Sequence, residues 1–134
     1  MRYLKYILPL FIFLSFSLIP LGKIDTHYKL VLFEGSDWCV NCIRLNKTVL
    51  TDTAFINFLE MENIQIERID FPQRKKLDEQ TQAYNASVAE KYGFQGLFPT
   101  ILLVRNNTDE TVTIDYHDQG PNEFIQQIKA SMTN

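Results

Sequence analysis

The spacing of two cysteines gives this chain its clearest chemical signal. The 134 residues contain two cysteines, and both lie in the segment Cys39-Val40-Asn41-Cys42. An apolar run precedes the pair and an amphipathic pattern follows it, so we expect Cys39 at a helix N-terminus and Cys42 one turn inside that helix. Unpaired backbone N–H groups and the helix dipole stabilise a thiolate there. Cys39 would then attack a disulfide, and Cys42 would resolve the mixed disulfide that forms.

Three other interpretations of the cysteine pair stay open. A zinc site needs about four ligands, yet His27 and His117 are the only histidines that could join the cysteines. A purely structural disulfide would close a loop of two residues, which constrains the unfolded chain very little. A copper carrier is the third, because thiolates suit Cu(I), although such modules have a different strand order. We favour the redox interpretation and predict neither a metal nor a cofactor.

The hydrophobic pattern predicts four strands around the cysteine pair. Residues 29–33 and 100–104 are continuous apolar runs, as is typical of strands that are covered on both faces. Isoleucines at alternate or near-alternate positions mark another strand over residues 64–69, which ends before Pro72. Apolar residues alternate with polar ones over residues 112–116, which predicts a half-exposed hairpin partner.

Helical patterns fall between and after these strands. Thr51 or Asp52 is positioned to cap a continuation of the helix that follows the cysteines, and Gly93 suits a helix C-terminus. Gly120 and Pro121 open a last amphipathic helix. The apolar face of the middle helix is predicted to be Tyr84, Val88, Ala89 and Tyr92. The resulting order, β-α-β-α-β-β-α, predicts an α/β fold with a central mixed four-stranded sheet flanked by helices.

The N-terminus has the composition of an export signal. Arg2 and Lys5 are basic, and residues 6–21 carry no charge and are rich in Leu, Ile and Phe. This run is shorter than the roughly 20 residues of a spanning helix, and no A-x-A cleavage site is present. We therefore predict that residues 1–22 are a signal peptide or an N-terminal membrane anchor, with residues 4–21 as the tether. The protein would be exported, and periplasmic in a Gram-negative bacterium.

Composition limits the remaining residues, 23–134, to one ordinary globular domain. Hydrophobic residues make up 46% of the chain and charged residues 22%, and the formal net charge is −3. About 110 residues suit a single core. We expect a monomer, and we expect no nucleic-acid partner because the chain has no basic footprint.

Two segments resemble the thioredoxin superfamily. Residues 33–42, Phe-Glu-Gly-Ser-Asp-Trp-Cys-Val-Asn-Cys, are similar to its active-site segment, and most similar to exported bacterial thioredoxin-like proteins with a Gly-Ser-Asp-Trp-Cys lead-in. Residues 92–100, Tyr-Gly-Phe-Gln-Gly-Leu-Phe-Pro-Thr, are similar to the stretch that ends in a cis-proline before a strand. The resemblance extends over residues 30–132. It implies a thioredoxin-like fold.

The resemblance also implies functions for individual residues. Pro99 would be the cis-proline that faces the cysteines, and the Phe98 backbone would pair with a substrate strand. Trp38 would pack beside the cysteines and shape the rim of the site. The protein would exchange disulfides with protein substrates and would be restored by a membrane thiol-electron carrier. The alternative is a non-catalytic binding module whose disulfide is inert.

Two departures from the family pattern bear on mechanism. Val40 and Asn41 stand where thioredoxin has Gly-Pro, and the residues between the cysteines help to set the reduction potential, so the direction of electron flow stays open. In an ungapped match, Phe33 occupies the position of the buried thioredoxin aspartate that relays protons. Glu34 is the nearest carboxylate and a candidate proton relay, but an acid at a strand end facing solvent is an equal alternative.

Overall fold

The computed structural model describes residues 27–133. The proposed signal or anchor over residues 1–22 lies outside these residues. The elements follow one another as β1 (Tyr28–Glu34), α1 (Val40–Leu45), α2 (Thr53–Met61), β2 (Gln65–Asp70), α3 (Glu79–Lys91), β3 (Thr100–Arg105), β4 (Thr111–Thr113) and α4 (Pro121–Met132). A π-helical turn, Asn46–Leu50, continues α1 toward α2. The predicted order of elements is confirmed, with the first predicted helix divided into α1 and α2.

The four strands form one mixed sheet in the order β2-β1-β3-β4. β1 pairs with β2 in parallel, and β3 runs antiparallel to both β1 and β4. Phe33 pairs with Ile69 of β2 on one side and with Thr100 of β3 on the other. The predicted mixed four-stranded sheet is therefore confirmed. β1 is one of its two inner strands, and the cysteines follow it in the chain.

The alternation of side chains along β1 divides the core into two layers. Leu30 and Leu32 pack on one face in the layer that α1, α2 and α4 cover. Val31 and Phe33 pack on the opposite face, together with Val88 of α3. Because both faces of the sheet are covered, β1 is apolar at consecutive positions, as its sequence predicts.

Side-chain caps set where the helices begin. The Asp52 carboxylate accepts a hydrogen bond from the Ala54 N–H at 2.8 Å, so Asp52 is the N-cap of α2. Asp78 caps α3 in the same way, which leaves residues 73–77 as a loop. Gly93 has a φ of +60°, the left-handed conformation expected just after a helix.

The predicted apolar face of α3 is wrong at one position. The Tyr84 side chain is 52% exposed, because its hydroxyl reaches the carboxylate of Glu67 at the edge of the sheet. Asn85 is buried instead, and its amide donates a hydrogen bond to the Asp70 carbonyl at 2.7 Å. Among residues 27–133, the helices are too short or too polar to cross a membrane.

Candidate redox site

The two cysteines lie at the start of α1, directly after the turn that follows β1. Cys39 is the N-cap residue of α1, Cys42 lies in its first turn, and a disulfide joins them with their Cα atoms 5.2 Å apart. The Cys42 N–H donates a hydrogen bond to the Cys39 sulfur at 3.2 Å. Both side chains are buried, with 6% of Cys39 and 2% of Cys42 exposed. The strand, turn and helix predicted around this pair are all present.

Hydrogen bonds of Ser36 and Asp37 connect the turn before the cysteines to the end of β2 and to the loop after it. The Ser36 N–H and hydroxyl donate to the Asp70 carboxylate at 2.8 and 2.6 Å. The Asp37 carboxylate accepts hydrogen bonds at 2.8 to 3.0 Å from three consecutive N–H groups, those of Gln73, Arg74 and Lys75. Ser36 and Asp37 belong to a recognisable motif in the sequence, but these contacts with the end of β2 and the following loop are not predictable from it.

Both aspartates are held as carboxylates by these contacts. Partial burial acts to raise the pKa of Asp70, but the hydrogen bonds from Lys75 and Ser36 outweigh it and lower that pKa. Desolvation likewise acts to raise the pKa of Asp37, and the backbone N–H donors lower it. The Lys75 ammonium lies 2.8 Å from Asp70, and this hydrogen bond raises the pKa of Lys75. Asp37, Asp70 and Lys75 are therefore all charged at neutral pH.

Trp38 packs over the backbone of Gly35 and is fixed at its other end. A Cβ atom placed on Gly35 would overlap the Trp38 indole ring, so this position has no room for a side chain. The indole Nε1–H donates a hydrogen bond to the Phe71 carbonyl at 2.8 Å. The ring therefore has a fixed orientation directly before Cys39.

Aromatic rings connect Trp38 to the segment before β3. The Phe98 ring lies edge-on to Trp38, with centroids 5.2 Å apart. It also contacts Phe71 at 5.9 Å and Phe94 at 5.1 Å between centroids. The Phe98–Pro99 peptide bond is cis, as the resemblance implies. The structure thus brings the ring of Phe98, the residue before the cis bond, next to Trp38.

Glu34 is buried on the cysteine side of the sheet, and the solvent-facing alternative is wrong. The residue is 3% exposed, and its two carboxylate oxygens accept hydrogen bonds from the Arg68 guanidinium at 2.7 and 2.8 Å. Alternation along β1 puts Glu34 on the face of Leu32, whereas Phe33 faces the α3 layer. Glu34 and Cys42 line the same small cavity, of about 90 Å³.

The histidines lie apart from this centre. His117 is exposed and its Nε2 lies 3.6 Å from Glu123, at the start of α4. Within residues 27–133, no group of three or more His, Cys, Asp or Glu side chains is arranged to hold a metal ion.

A mixed sheet, a disulfide at the N-terminus of the helix after β1, and a cis-proline directly before β3 together define a thioredoxin-like fold. The chain is 24% identical over 111 residues to the disulfide bond reductase DsbH of Chlamydia pneumoniae. That match covers 83% of this chain and 66% of the relative. No protein-family model matches the chain.

Solved structures share the fold. A structure of a DsbH oxidoreductase superposes with a TM-score of 0.73 at 22% identity, over 81% of this chain and 74% of that one. The reduced C-terminal domain of DsbD from Neisseria meningitidis gives 0.56 at 15% identity, over 78% and 80% of the two chains. A thioredoxin from Thermus thermophilus gives 0.52 at 17% identity, over 79% and 74%. The predicted thioredoxin-like fold is confirmed.

Proposed function

We propose that this protein is a thiol–disulfide oxidoreductase that reduces disulfide bonds of protein substrates outside the cytoplasm. The observation that carries the proposal is the Cys39–Cys42 disulfide at the start of α1, and the cis bond that precedes Pro99 supports it. The reducing direction is supported by the relative from Chlamydia pneumoniae, which is named as a disulfide bond reductase. The inert binding module stays as the alternative that the test below distinguishes.

Cys39 is the attacking cysteine in this proposal. Its sulfur already accepts a hydrogen bond from the Cys42 N–H, a contact that favours a thiolate once the pair is reduced. The thiolate attacks one sulfur of the substrate disulfide, and the other substrate sulfur leaves as a thiolate. Cys42 then loses its proton and attacks the Cys39 sulfur. This step releases the second substrate thiol and restores the disulfide, so two electrons have passed to the substrate.

Substrate binding would use the segment around the cis bond. The Phe98 backbone, directly before the cis bond to Pro99 and the start of β3, would form main-chain hydrogen bonds with an extended substrate. Trp38 would form one wall of the site, since its ring is fixed between Gly35 and the Phe71 carbonyl. Binding through the backbone would give weak preference for substrate sequence near the cysteine.

Glu34 would accept the proton that Cys42 releases. The carboxylate and Cys42 line one cavity, and the Arg68 guanidinium keeps the carboxylate oriented into it. A buried carboxylate reached from the resolving thiol can act as a general base through a short proton path. Glu34 would therefore speed the resolving step rather than the first attack.

The cellular setting of the proposal rests on the N-terminal residues. Residues 1–22 would direct export as a signal peptide or stay as a membrane anchor through residues 4–21, and residues 23–134 would form the catalytic domain. The domain would act as a monomer without a cofactor. A membrane thiol-electron carrier would reduce the Cys39–Cys42 disulfide after each cycle.

Reduction of insulin tests the proposed activity. The purified full chain, kept reduced by dithiothreitol, is expected to accelerate insulin precipitation well above the dithiothreitol background. Cys39→Ser is expected to abolish the acceleration, because the attacking sulfur is gone. Equal rates for the wild type and Cys39→Ser would contradict the proposal and favour the binding module.

A further inference from the structure

A groove of about 460 Å³ opens between the loop after β2 and helix α3. Its apolar lining comes from Phe71, Pro72 and Leu77, and its charged lining from Lys75 and Lys76. Small-molecule and peptide sites are typically concave and apolar, with a few polar groups that fix orientation. The groove therefore has the shape and lining of a site for one side chain or a short peptide segment.

Phe71 lines the groove and also contacts two aromatic residues of the redox site. The Phe71 carbonyl accepts the Trp38 indole hydrogen bond, and its ring lies 5.9 Å from the Phe98 ring. An extended peptide advances about 3.3 Å per residue. A substrate strand that pairs with the Phe98 backbone would thus place side chains a few residues from its reacting cysteine in the groove.

The charged side chains that line the groove are both basic, in a chain of net charge −3. Of the acids near Arg74, Lys75 and Lys76, two are engaged in hydrogen bonds or an ion pair, and Asp78 and Glu79 do not line the groove. Asp70 pairs with Lys75, while the Asp37 carboxylate accepts backbone N–H groups. Within residues 27–133, neither the Arg74 guanidinium nor the Lys76 ammonium has an ion-pair partner. The exposed Lys76 ammonium in the lining, with Arg74 two residues before it in the chain, attracts anionic groups from solution.

We propose that this groove selects substrates in which an apolar side chain flanked by acidic residues lies a few residues from the reacting cysteine. The inference rests on the proposed reductase function and adds a specificity site to it. A peptide fits better than a bilayer, because the apolar residues line a recess, whereas membrane binding needs apolar side chains that protrude. Lys76 supplies the charge recognition, and Leu77 with Phe71 supplies the apolar contact.

Three disulfide-linked peptides test the groove with the reduced full chain. They share the residues next to cysteine and differ, three to five residues away on both sides, in carrying Glu-Leu-Glu, Ser-Leu-Ser or Lys-Leu-Lys. The acidic peptide is expected to react about tenfold faster than the basic one at low salt, and added salt should reduce this ratio. Lys76→Glu is expected to bring the ratio to about one or below. Lys47→Glu is the matched control, an exposed lysine on the π-helical turn, and should keep the wild-type ratio.

The outcomes separate the groove from the activity itself. Equal rates for the three peptides would overturn the groove proposal and leave the reductase function standing. An equal loss of preference in Lys47→Glu would also overturn it, since only overall charge would matter. If the three peptides reacted equally and Lys76→Glu abolished binding to phosphatidylglycerol vesicles, the groove would be a membrane contact and not a peptide site. That result would also overturn the groove proposal. Failure to reduce any of the peptides, including the serine one, would overturn both proposals.

Discussion

Glu34 is a buried carboxylate whose charge is balanced by one partly exposed guanidinium. The Glu34 side chain is 4% exposed and that of Arg68 is 42% exposed, so the pair connects the site interior with solvent. Bidentate geometry makes such a pair strong and fixes its orientation. Exposure of Arg68 screens the attraction, so the pair contributes more to orienting the carboxylate than to stability. This fixed carboxylate at the cavity that Cys42 lines is the basis of the proton-transfer function proposed for Glu34.

Replacing Glu34 with Gln tests this function. Glu34→Gln keeps the shape of the side chain and one hydrogen bond to Arg68 but removes the proton acceptor. We expect the first attack by Cys39 to be unchanged and the resolving step by Cys42 to slow by about tenfold or more near pH 7. Stopped-flow measurement of mixed-disulfide decay gives this rate.

Glu67→Gln is the matched control for that experiment. Glu67 lies on β2 next to Arg68 and pairs with Lys29 at 2.6 Å, and burial, which acts to raise its pKa, is outweighed by hydrogen bonds from Lys29 and Tyr84. It lines a cleft beside α3 rather than the cavity of Cys42. The decay rate in Glu67→Gln should match the wild type. Equal slowing in both variants would contradict a relay function for Glu34.

At the scale of elements, the turn between β1 and α1 depends on a glycine. Gly35 is buried and lies directly beneath the Trp38 ring, and its carbonyl accepts the N–H groups of Trp38 and Cys39 at 3.2 and 2.9 Å. Gly35 therefore positions both Trp38 at the rim of the site and Cys39 at the N-cap of α1. Hydrogen bonds of Ser36 and Asp37 then connect this turn to the end of β2 and to the loop after it.

Gly35→Ala should displace Trp38 and loosen the site. The added methyl group overlaps the indole ring, so the ring must move and its hydrogen bond to Phe71 is lost. Overpacking of this kind costs typically about 1–3 kcal/mol of unfolding free energy. Urea unfolding measures that loss. Because the chain has one tryptophan, its emission maximum should shift to longer wavelength as Trp38 meets water.

Gly120→Ala is the control for the glycine experiment. No atom lies within 4 Å of a Cβ built on Gly120, which is the N-cap residue of α4. The loss of a glycine cap should cost at most about 1 kcal/mol. Tryptophan emission should stay as in the wild type. Unchanged emission in Gly35→Ala would contradict the account of how the turn holds Trp38.

At the scale of the whole molecule, the parts predicted correctly from sequence are those with a local signal. Apolar runs identify β1 and β3 because both faces of the sheet are covered. Asp52 was one of two candidate caps for α2, and the cysteine pair follows directly from residue type and spacing. Phe98–Pro99 is cis, but only the family resemblance suggested this, since most X-Pro bonds are trans.

The parts missed from sequence depend on contacts between distant segments. Ser36 and Asp37 bind partners 34 to 38 residues away, which no periodicity reveals. Glu34 was left between two alternatives, because its burial depends on Arg68 in the neighbouring strand. Tyr84 is predicted on the apolar face of α3, but its hydroxyl contacts the Glu67 carboxylate at the edge of the sheet. Asn85 is the buried residue of that turn instead. Pairing across elements outweighed the local pattern in each case.

The central claim is that Cys39 attacks and Cys42 resolves, and trapping of the intermediate tests it most directly. Reduced full-length Cys42→Ser, mixed with a peptide disulfide, should accumulate a covalent adduct on Cys39, identified by mass spectrometry of the digested protein. Reduced Cys39→Ser should form little adduct under the same conditions, since Cys42 is 2% exposed. An adduct that forms at equal rate on Cys42, or no adduct in either variant, would contradict the account.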